Sequence, residues 1–206
     1  MMKYITKTDL YIVSRYSGVV MICVGLMCLF PLLIDLIYFE FNYACFIIPG
    51  VFSVILGYIC MKALDKYSNS KMRLKHGMMI SSIAWMWASV IGGVVISLAT
   101  GTDFLNGIFE STSALTGTGI TMFDNVEILP HSILYFRAFE QWVGGLGVVV
   151  MMIGILTRPG TASAKLYQSE AREERLKPSV KTTLKKTIEI YLIYTIIGII
   201  LYLLAG

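Results

Sequence analysis

Residues 104–121 have the sequence FLNGIFESTSALTGTGIT, and this short apolar segment with its glycine-rich continuation determines how the rest of the chain is interpreted. Phe104–Leu115 is apolar on one side but is too short to cross a bilayer, since a spanning helix needs about 20 residues. Apolar segments of about 10–14 residues are typical of re-entrant or interfacial helices. Thr102 or Asp103 can cap the first turn. The glycines within Thr116–Thr121 favour an extended backbone over further helix.

Five apolar blocks around this segment have the length of membrane-spanning helices. Crossing a hydrocarbon core of about 30 Å takes about 20 helical residues. The chain has 206 residues, of which 56% are hydrophobic and only 15% are charged, so it is more apolar than a typical soluble domain. The predicted spans are Gly18–Tyr38, Ala44–Leu64, Met78–Thr100, Ser132–Leu156 and Ile188–Ala205. The predicted fold class is therefore all-α, a polytopic membrane protein with five transmembrane helices and one re-entrant helix with its loop.

The basic residues divide the connecting segments into two sides. Every Lys and Arg except Arg137 lies before the first span, in residues 62–75 or in residues 158–186. The segments on the other side carry acidic residues and no basic ones. The positive-inside rule therefore predicts that the N-terminus is cytoplasmic. Membrane lipid is the expected surrounding of the spans. The net charge of +4 has this topological origin, and a nucleic-acid partner is not predicted.

The main chain of Thr116–Thr121 can bind a cation. At membrane depth, unpaired N–H and C=O groups are costly, so they must meet protein, water or an ion. A short helix that points inward directs the negative end of its dipole toward the membrane interior. The carbonyls of an extended strand can then replace the hydration shell of a monovalent cation. From the residues alone, an ordinary extracellular loop containing a turn remains an alternative.

Three runs resemble the first pore unit of the Trk/Ktr/HKT superfamily of potassium transporters. They are FESTSALTGTGIT (109–121), LPHS (129–132) and FRAFEQWVGGLGVVVMMIGIL (136–156). In that family, each unit consists of a helix, a pore helix, a selectivity-filter loop and a second helix, and four units surround one pore. The two spans ahead of this unit resemble those of the TrkH-type members in prokaryotic inner membranes, the plasma membrane of these cells.

The resemblance implies a division of the chain and a set of ion-binding residues. Residues 1–77 would be an N-terminal two-helix segment, 78–157 the pore unit, 158–187 a cytoplasmic linker, and 188–206 the first helix of a second unit. Gly119 would be the central filter glycine. The full predicted filter is Thr116, Gly117, Thr118, Gly119, Ile120 and Thr121, which would bind K⁺ (or Na⁺) through main-chain carbonyls, with K⁺ as the transported ion and no covalent cofactor. Simple potassium channels have TVGYG instead, so we expect looser selectivity here.

Charged residues near the filter are candidates for supporting roles. Arg137 and Glu140 are three residues apart on one face of the fourth span. Charges inside membrane segments usually face protein or water, and pairing with Glu110 of the pore helix is predicted ahead of ion binding. Asp124 follows the filter and could belong to an outer rim that attracts cations, although a solvated loop charge is the simpler interpretation.

The predicted function is uptake of potassium or another monovalent cation, by passive permeation or by symport. The alternative is a non-conducting membrane scaffold or assembly subunit that retains a pore-unit sequence. An enzyme is not predicted, because the apolar segments contain no nucleophile beside a base and no His/Cys cluster. One filter strand cannot surround an ion, so the expected partners are further pore units from the same full-length protein, a split partner or a homo-oligomer. The resemblance adds a cytoplasmic nucleotide-binding regulatory subunit.

Overall fold

The computed structural model describes residues 6–67, 73–156 and 180–205, and their regular structure is helical. The elements are α1 (Lys7–Met27), α2 (Pro31–Tyr38), α3 (Tyr43–Ala63), a 3-10 turn (Asp65–Tyr67), α4 (Leu74–Thr100), α5 (Phe104–Thr116), α6 (His131–Leu156) and α7 (Val180–Ala205). The predicted cytoplasmic linker lies outside the described residues, apart from its last part in α7. The chain forms two compact units, Met1–Trp142 and Val143–Gly206.

The all-α fold class is confirmed. Among the described residues, four helical stretches are long and apolar enough to cross a membrane: Lys7–Tyr38, Tyr43–Ala63, Lys75–Thr100 and Lys185–Ala205. The 26-residue α6 occupies the position of the fourth predicted span. The short α5 occupies the position of the predicted re-entrant helix. Each predicted span thus has a helical counterpart in the structure.

The first predicted span, Gly18–Tyr38, differs from the structure in its start and in its continuity. Helix α1 already begins at Lys7, because Thr6 and Asp9 form a capping box. The N–H of Asp9 donates to the Thr6 hydroxyl at 3.3 Å, and the N–H of Thr6 donates to the Asp9 carboxylate at 2.9 Å. The span is then interrupted before Pro31, which begins α2. The N–H of the first residue in a helix has no partner within that helix, so proline, which lacks this group, is tolerated there.

Glycines bring the backbones of α1 and α3 into direct contact. A Cβ added to Gly57 would lie 2.5 Å from the carbonyl oxygen of Gly18, and one added to Gly25 would lie 2.5 Å from that of Gly50. Small residues allow such close approach between membrane helices, whose association depends on packing rather than on exclusion of water. The first and third helices therefore form a closely packed pair within the first unit.

Helix α5 lies in an equally close contact with α4. A Cβ on Gly107 would lie 2.5 Å from the carbonyl oxygen of Gly93, and a Cβ on Gly93 would lie 2.7 Å from the backbone nitrogen of Ile108. One apolar core lies beside this contact. It is shared by α3, α4, α6 and the segments after α1 and before α6, and it is formed by Cys28, Phe46, Ile91, Val95, Ile96, Leu129, Ile133 and Phe136. The packing fixes the position of α5 and hence of the glycine-rich segment that follows it.

Candidate functional site

Helix α5 leads directly into the glycine-rich segment. Of the two caps predicted for its start, Asp103 is the one used, since its Oδ2 accepts from the N–H of Leu105 at 3.1 Å. The helix ends at Thr116, as predicted from the sequence. Gly117 follows with a φ of +71°, a left-handed conformation that glycine adopts without steric cost. This turn directs the next residues back over the C-terminal end of α5.

The backbone N–H groups of three successive residues point back toward α5. Gly117 donates to the last turn of the helix at 3.0 Å, Thr118 donates to the carbonyl oxygen of Ser113 at 3.0 Å, and Gly119 donates to the same oxygen at 3.4 Å. In a planar trans peptide the C=O points opposite to the N–H, and the described residues contain no cis peptide bond. The carbonyls of Thr116, Gly117 and Thr118 therefore point away from the helix end.

This row of carbonyls lies on the surface of the chain. Thr116–Ile120 are exposed, whereas Thr121 is half-buried. The hydroxyl oxygens of Thr116 and Thr118 are 2.8 Å apart and are hydrogen-bonded to each other. Exposed main-chain carbonyls cannot face lipid. They need water, a cation or another strand as their neighbour.

Ile120 departs from the predicted row of ion ligands. Its carbonyl oxygen accepts a hydrogen bond from Ser113 Oγ at 2.6 Å and so points toward α5. Gly119 precedes this reversal with a φ of +74°. Nothing lies within 4 Å of a Cβ placed on Gly119. The backbone conformation, and not lack of space, therefore favours glycine at this position.

Glu110 connects the segment after the glycine-rich stretch to α6. Its fully buried carboxylate accepts from the Thr121 hydroxyl at 2.8 Å and from the N–H of Met122. Arg137 Nη2 lies 2.7 Å from Glu110 Oε2, so the two side chains form an ion pair. Coulomb attraction is strong at this distance because little water screens the pair.

Glu140 and Asp124 are not brought into this ion pair. Glu140 Oε1 accepts from the hydroxyl of Ser111 at 2.6 Å, and Gly92 of α4 packs so close that an added Cβ would collide with the same oxygen. Glu140 thus contacts α5 at Ser111. Asp124 is exposed, and no hydrogen bond or ion pair reaches it in the part of the chain that the structure describes.

Sequence reasoning missed the role of Glu40, which caps the start of α6. Its carboxylate accepts from the backbone N–H groups of His131 at 2.5 Å and Ser132 at 3.0 Å, and from the Ser132 hydroxyl at 2.6 Å. A carboxylate is favourable at a helix N-terminus. Partial burial acts to raise the pKa of Glu40, but the hydrogen bonds from Ser132 and His131 outweigh it and hold the pKa below its ordinary value.

Comparison with known proteins places this geometry in a family context. A family model described as TrkH, cation transport protein, matches residues 46–205. A protein described as an uncharacterized cation transporter of Methanocaldococcus jannaschii is 40% identical over 203 residues, which are 98% of this chain and 42% of that protein. The Trk system potassium uptake protein TrkG of Escherichia coli K12 is 31% identical over 204 residues, covering 95% of this chain and 41% of that protein.

A solved structure has the same fold. The crystal structure of the potassium transporter TrkH from Vibrio parahaemolyticus matches with a TM-score of 0.80 and 26% sequence identity, covering 96% of this chain and 40% of that chain. The chain therefore spans about 40% of the length of the relatives that it matches.

Proposed function

Because the chain belongs to the TrkH family of cation transport proteins, we propose that it supplies a pore unit for the uptake of potassium or another monovalent cation across a cell membrane. The cation passes along the outward-facing main-chain carbonyls within Thr116–Thr121 and exchanges part of its hydration shell for them. The cation is the cargo, and no covalent chemistry is involved. Relatives described as potassium uptake proteins support potassium as the cargo.

The observation that carries this proposal is the common direction of three successive carbonyls. Those of Thr116, Gly117 and Thr118 point away from the C-terminal end of α5, as their N–H partners require. That helix end carries roughly half a negative charge. Aligned carbonyls beside a negative helix end favour a cation.

The contacts of Glu110 support a filter that is rigid before a cation arrives. The carboxylate holds Thr121 and Met122 against α5, and Arg137 holds the carboxylate in turn. Ligands that are already in position lose little conformational freedom when an ion binds. In this proposal Glu110 and Arg137 support the filter and do not bind the ion themselves.

The exposed filter strand requires further pore units to enclose an ion. We propose that these come from the same full-length protein, a split partner or a homo-oligomer, with residues 78–157 as one unit and 188–206 as the start of the next. A cytoplasmic nucleotide-binding regulatory subunit is a further proposed partner. The distribution of basic residues supports a cytoplasmic N-terminus. Because TGTGIT differs from TVGYG, discrimination between K⁺ and Na⁺ should be looser than in simple potassium channels.

Substituting Gly119 tests the proposal, and Gly101 offers a matched control. Both glycines have positive φ, +74° and +70°, and nothing within 4 Å of an added Cβ. Alanine should therefore cost a similar roughly 1–2 kcal/mol of backbone strain at either site. Only Gly119 lies in the proposed ion path, whereas Gly101 ends α4.

Rubidium uptake is measured for the full-length gene product in cells that lack their own potassium uptake. We expect Gly119→Ala to abolish uptake and Gly101→Ala to retain it, with both proteins present in the membrane in similar amounts. Retained uptake in Gly119→Ala would contradict the carbonyl filter. Assembly of a wild-type protein that transports no cation would favour the scaffold alternative.

A further inference from the structure

Ser113 contacts the filter segment through both its backbone and its side chain. Its carbonyl oxygen accepts from the N–H groups of Thr118 at 3.0 Å and Gly119 at 3.4 Å. Its hydroxyl donates to the carbonyl oxygen of Ile120 at 2.6 Å. Only 5% of Ser113 is exposed, so water does not compete for these bonds. One buried residue of α5 therefore contacts three consecutive residues of the filter segment.

These contacts have opposite effects on the direction of the filter carbonyls. Bonds to the N–H groups of Thr118 and Gly119 turn the carbonyls of Gly117 and Thr118 away from α5, because each peptide is planar and trans. The bond from the Ser113 hydroxyl turns the carbonyl of Ile120 toward α5. The row of outward carbonyls therefore ends before Ile120.

The hydroxyl of Ser113 has an ordinary alternative that the structure does not use. Serine and threonine within helices commonly donate to the carbonyl four residues earlier. The neighbouring Thr112 does so, with its hydroxyl 2.7 Å from the carbonyl oxygen of Ile108. Ser113 instead reaches out of the helix to Ile120, seven residues later in the chain.

We propose that Ser113 is a positioning residue that withholds the Ile120 carbonyl from the permeating cation and thereby sets the ion preference of this pore unit. The inference rests on the proposed carbonyl filter and deepens it. Ser113 itself does not touch the cation; it acts through Ile120. The number and field strength of coordinating carbonyls are among the factors that distinguish K⁺ from Na⁺, so a donor that removes one carbonyl from the set affects selectivity.

The test removes the hydroxyl and measures selectivity instead of activity alone. Reversal potentials of the full-length protein in mixed potassium and sodium give the permeability ratio for the wild type, Ser113→Ala and Ser113→Thr. Loss of one hydrogen bond shifts a local equilibrium by roughly threefold to tenfold, so Ser113→Ala should change the ratio by about threefold or more. Ser113→Thr retains the hydroxyl and should have the wild-type ratio. Thr112→Ala, which removes a hydroxyl bonded within α5, should also have the wild-type ratio.

The outcomes distinguish a failure of this inference from a failure of the proposed function. If Ser113→Ala does not reach the membrane, Ser113→Cys replaces it, since a thiol is a weak donor. A wild-type ratio in that variant, or an equal change in Thr112→Ala, would overturn the role of Ser113. If Gly119→Ala still abolishes uptake in that case, the proposed filter stands without this inference. If Gly119→Ala transports normally, the filter fails and the role of Ser113 fails with it.

Discussion

Replacing Arg137 with glutamine should destabilise the first compact unit, because the Glu110 carboxylate would remain buried without its counter-ion. Glu110 is fully buried, the Arg137 side chain is 16% exposed, and the two charged groups are 2.7 Å apart. The loss of unfolding free energy in Arg137→Gln therefore depends on how well water can solvate the Glu110 carboxylate. In the folded protein this carboxylate has little access to water.

The expected magnitude follows from the burial of the pair. Removing one partner of a buried ion pair costs about 3–5 kcal/mol, whereas a solvent-exposed pair is worth about 0–1 kcal/mol. Since Arg137 retains some exposure, the lower end of the first range, about 3 kcal/mol, applies to Arg137→Gln. Glu110→Gln retains an acceptor oxygen for Thr121 and Met122 but leaves Arg137 without its partner. The double variant has neither unpaired charge. Its loss of unfolding free energy should therefore be about 2 kcal/mol smaller than the sum of the losses in the two single variants.

The free energy of unfolding is measured for the wild type, both single variants and the double variant by denaturant titration in detergent micelles, followed by circular dichroism. Lys185→Gln provides a control, because the pair formed by Lys185 and Glu189 is exposed and 3.9 Å apart. This control should unfold like the wild type. Rubidium uptake should fall in Arg137→Gln, since the carboxylate that it leaves uncompensated also holds Thr121 and Met122.

Additive effects of the two single substitutions would refute the reasoning, because they would show that Glu110 and Arg137 do not interact. Wild-type stability together with wild-type uptake in Arg137→Gln would refute the supporting role of the pair. A loss of stability without a loss of uptake would leave the ion pair as a purely structural contact.

Two further predictions concern the contacts that α6 makes with the rest of the first unit. Glu40→Gln should lower the melting temperature at neutral pH, and the difference from the wild type should shrink as the pH falls. The pKa of Glu40 is lowered in the folded protein, so its carboxylate stabilises the fold above the ordinary pKa of 4.5, and this stabilisation is lost as the pH falls through the folded pKa. An equal difference at neutral and acidic pH would count against the cap. Gly92→Ala should lower the denaturant midpoint because its Cβ would collide with Glu140, whereas Gly77→Ala in the same helix meets nothing within 4 Å and should be neutral or stabilising by about 0.5–1 kcal/mol; equal midpoints would contradict this packing.

The helices were largely predictable because the hydrocarbon core demands long apolar blocks. The starts of α1, α4 and α7 were less so, since their first turns carry polar residues that an apolar pattern does not include. At α1 the local signal was present: Thr6 and Asp9 have the spacing of a capping box. The position of Pro31 likewise indicated where the first span would be interrupted.

The site was predictable where a charge in a membrane segment had to find a partner. Arg137 is such a charge, and Glu110 was the nearest candidate on the pore helix. The role of Ser113 was not predictable, because a serine within a helix usually donates to the carbonyl oxygen four residues earlier in the same helix. Glu40 contacts Ser132, 92 residues later in the chain. No local spacing connects residues so far apart, and only the packing of α2 and α3 beside α6 brings them together.

The most direct test of the central claim is a structure of the full-length protein in thallium or rubidium, in which the bound cation is located by its anomalous scattering. We expect a peak coordinated by the carbonyl oxygens of Thr116, Gly117 and Thr118, and none on the Ile120 carbonyl. An anomalous peak elsewhere in the pore with none along these carbonyls, or a filter segment lying in bulk water, would contradict the claim that this main chain binds the permeating ion.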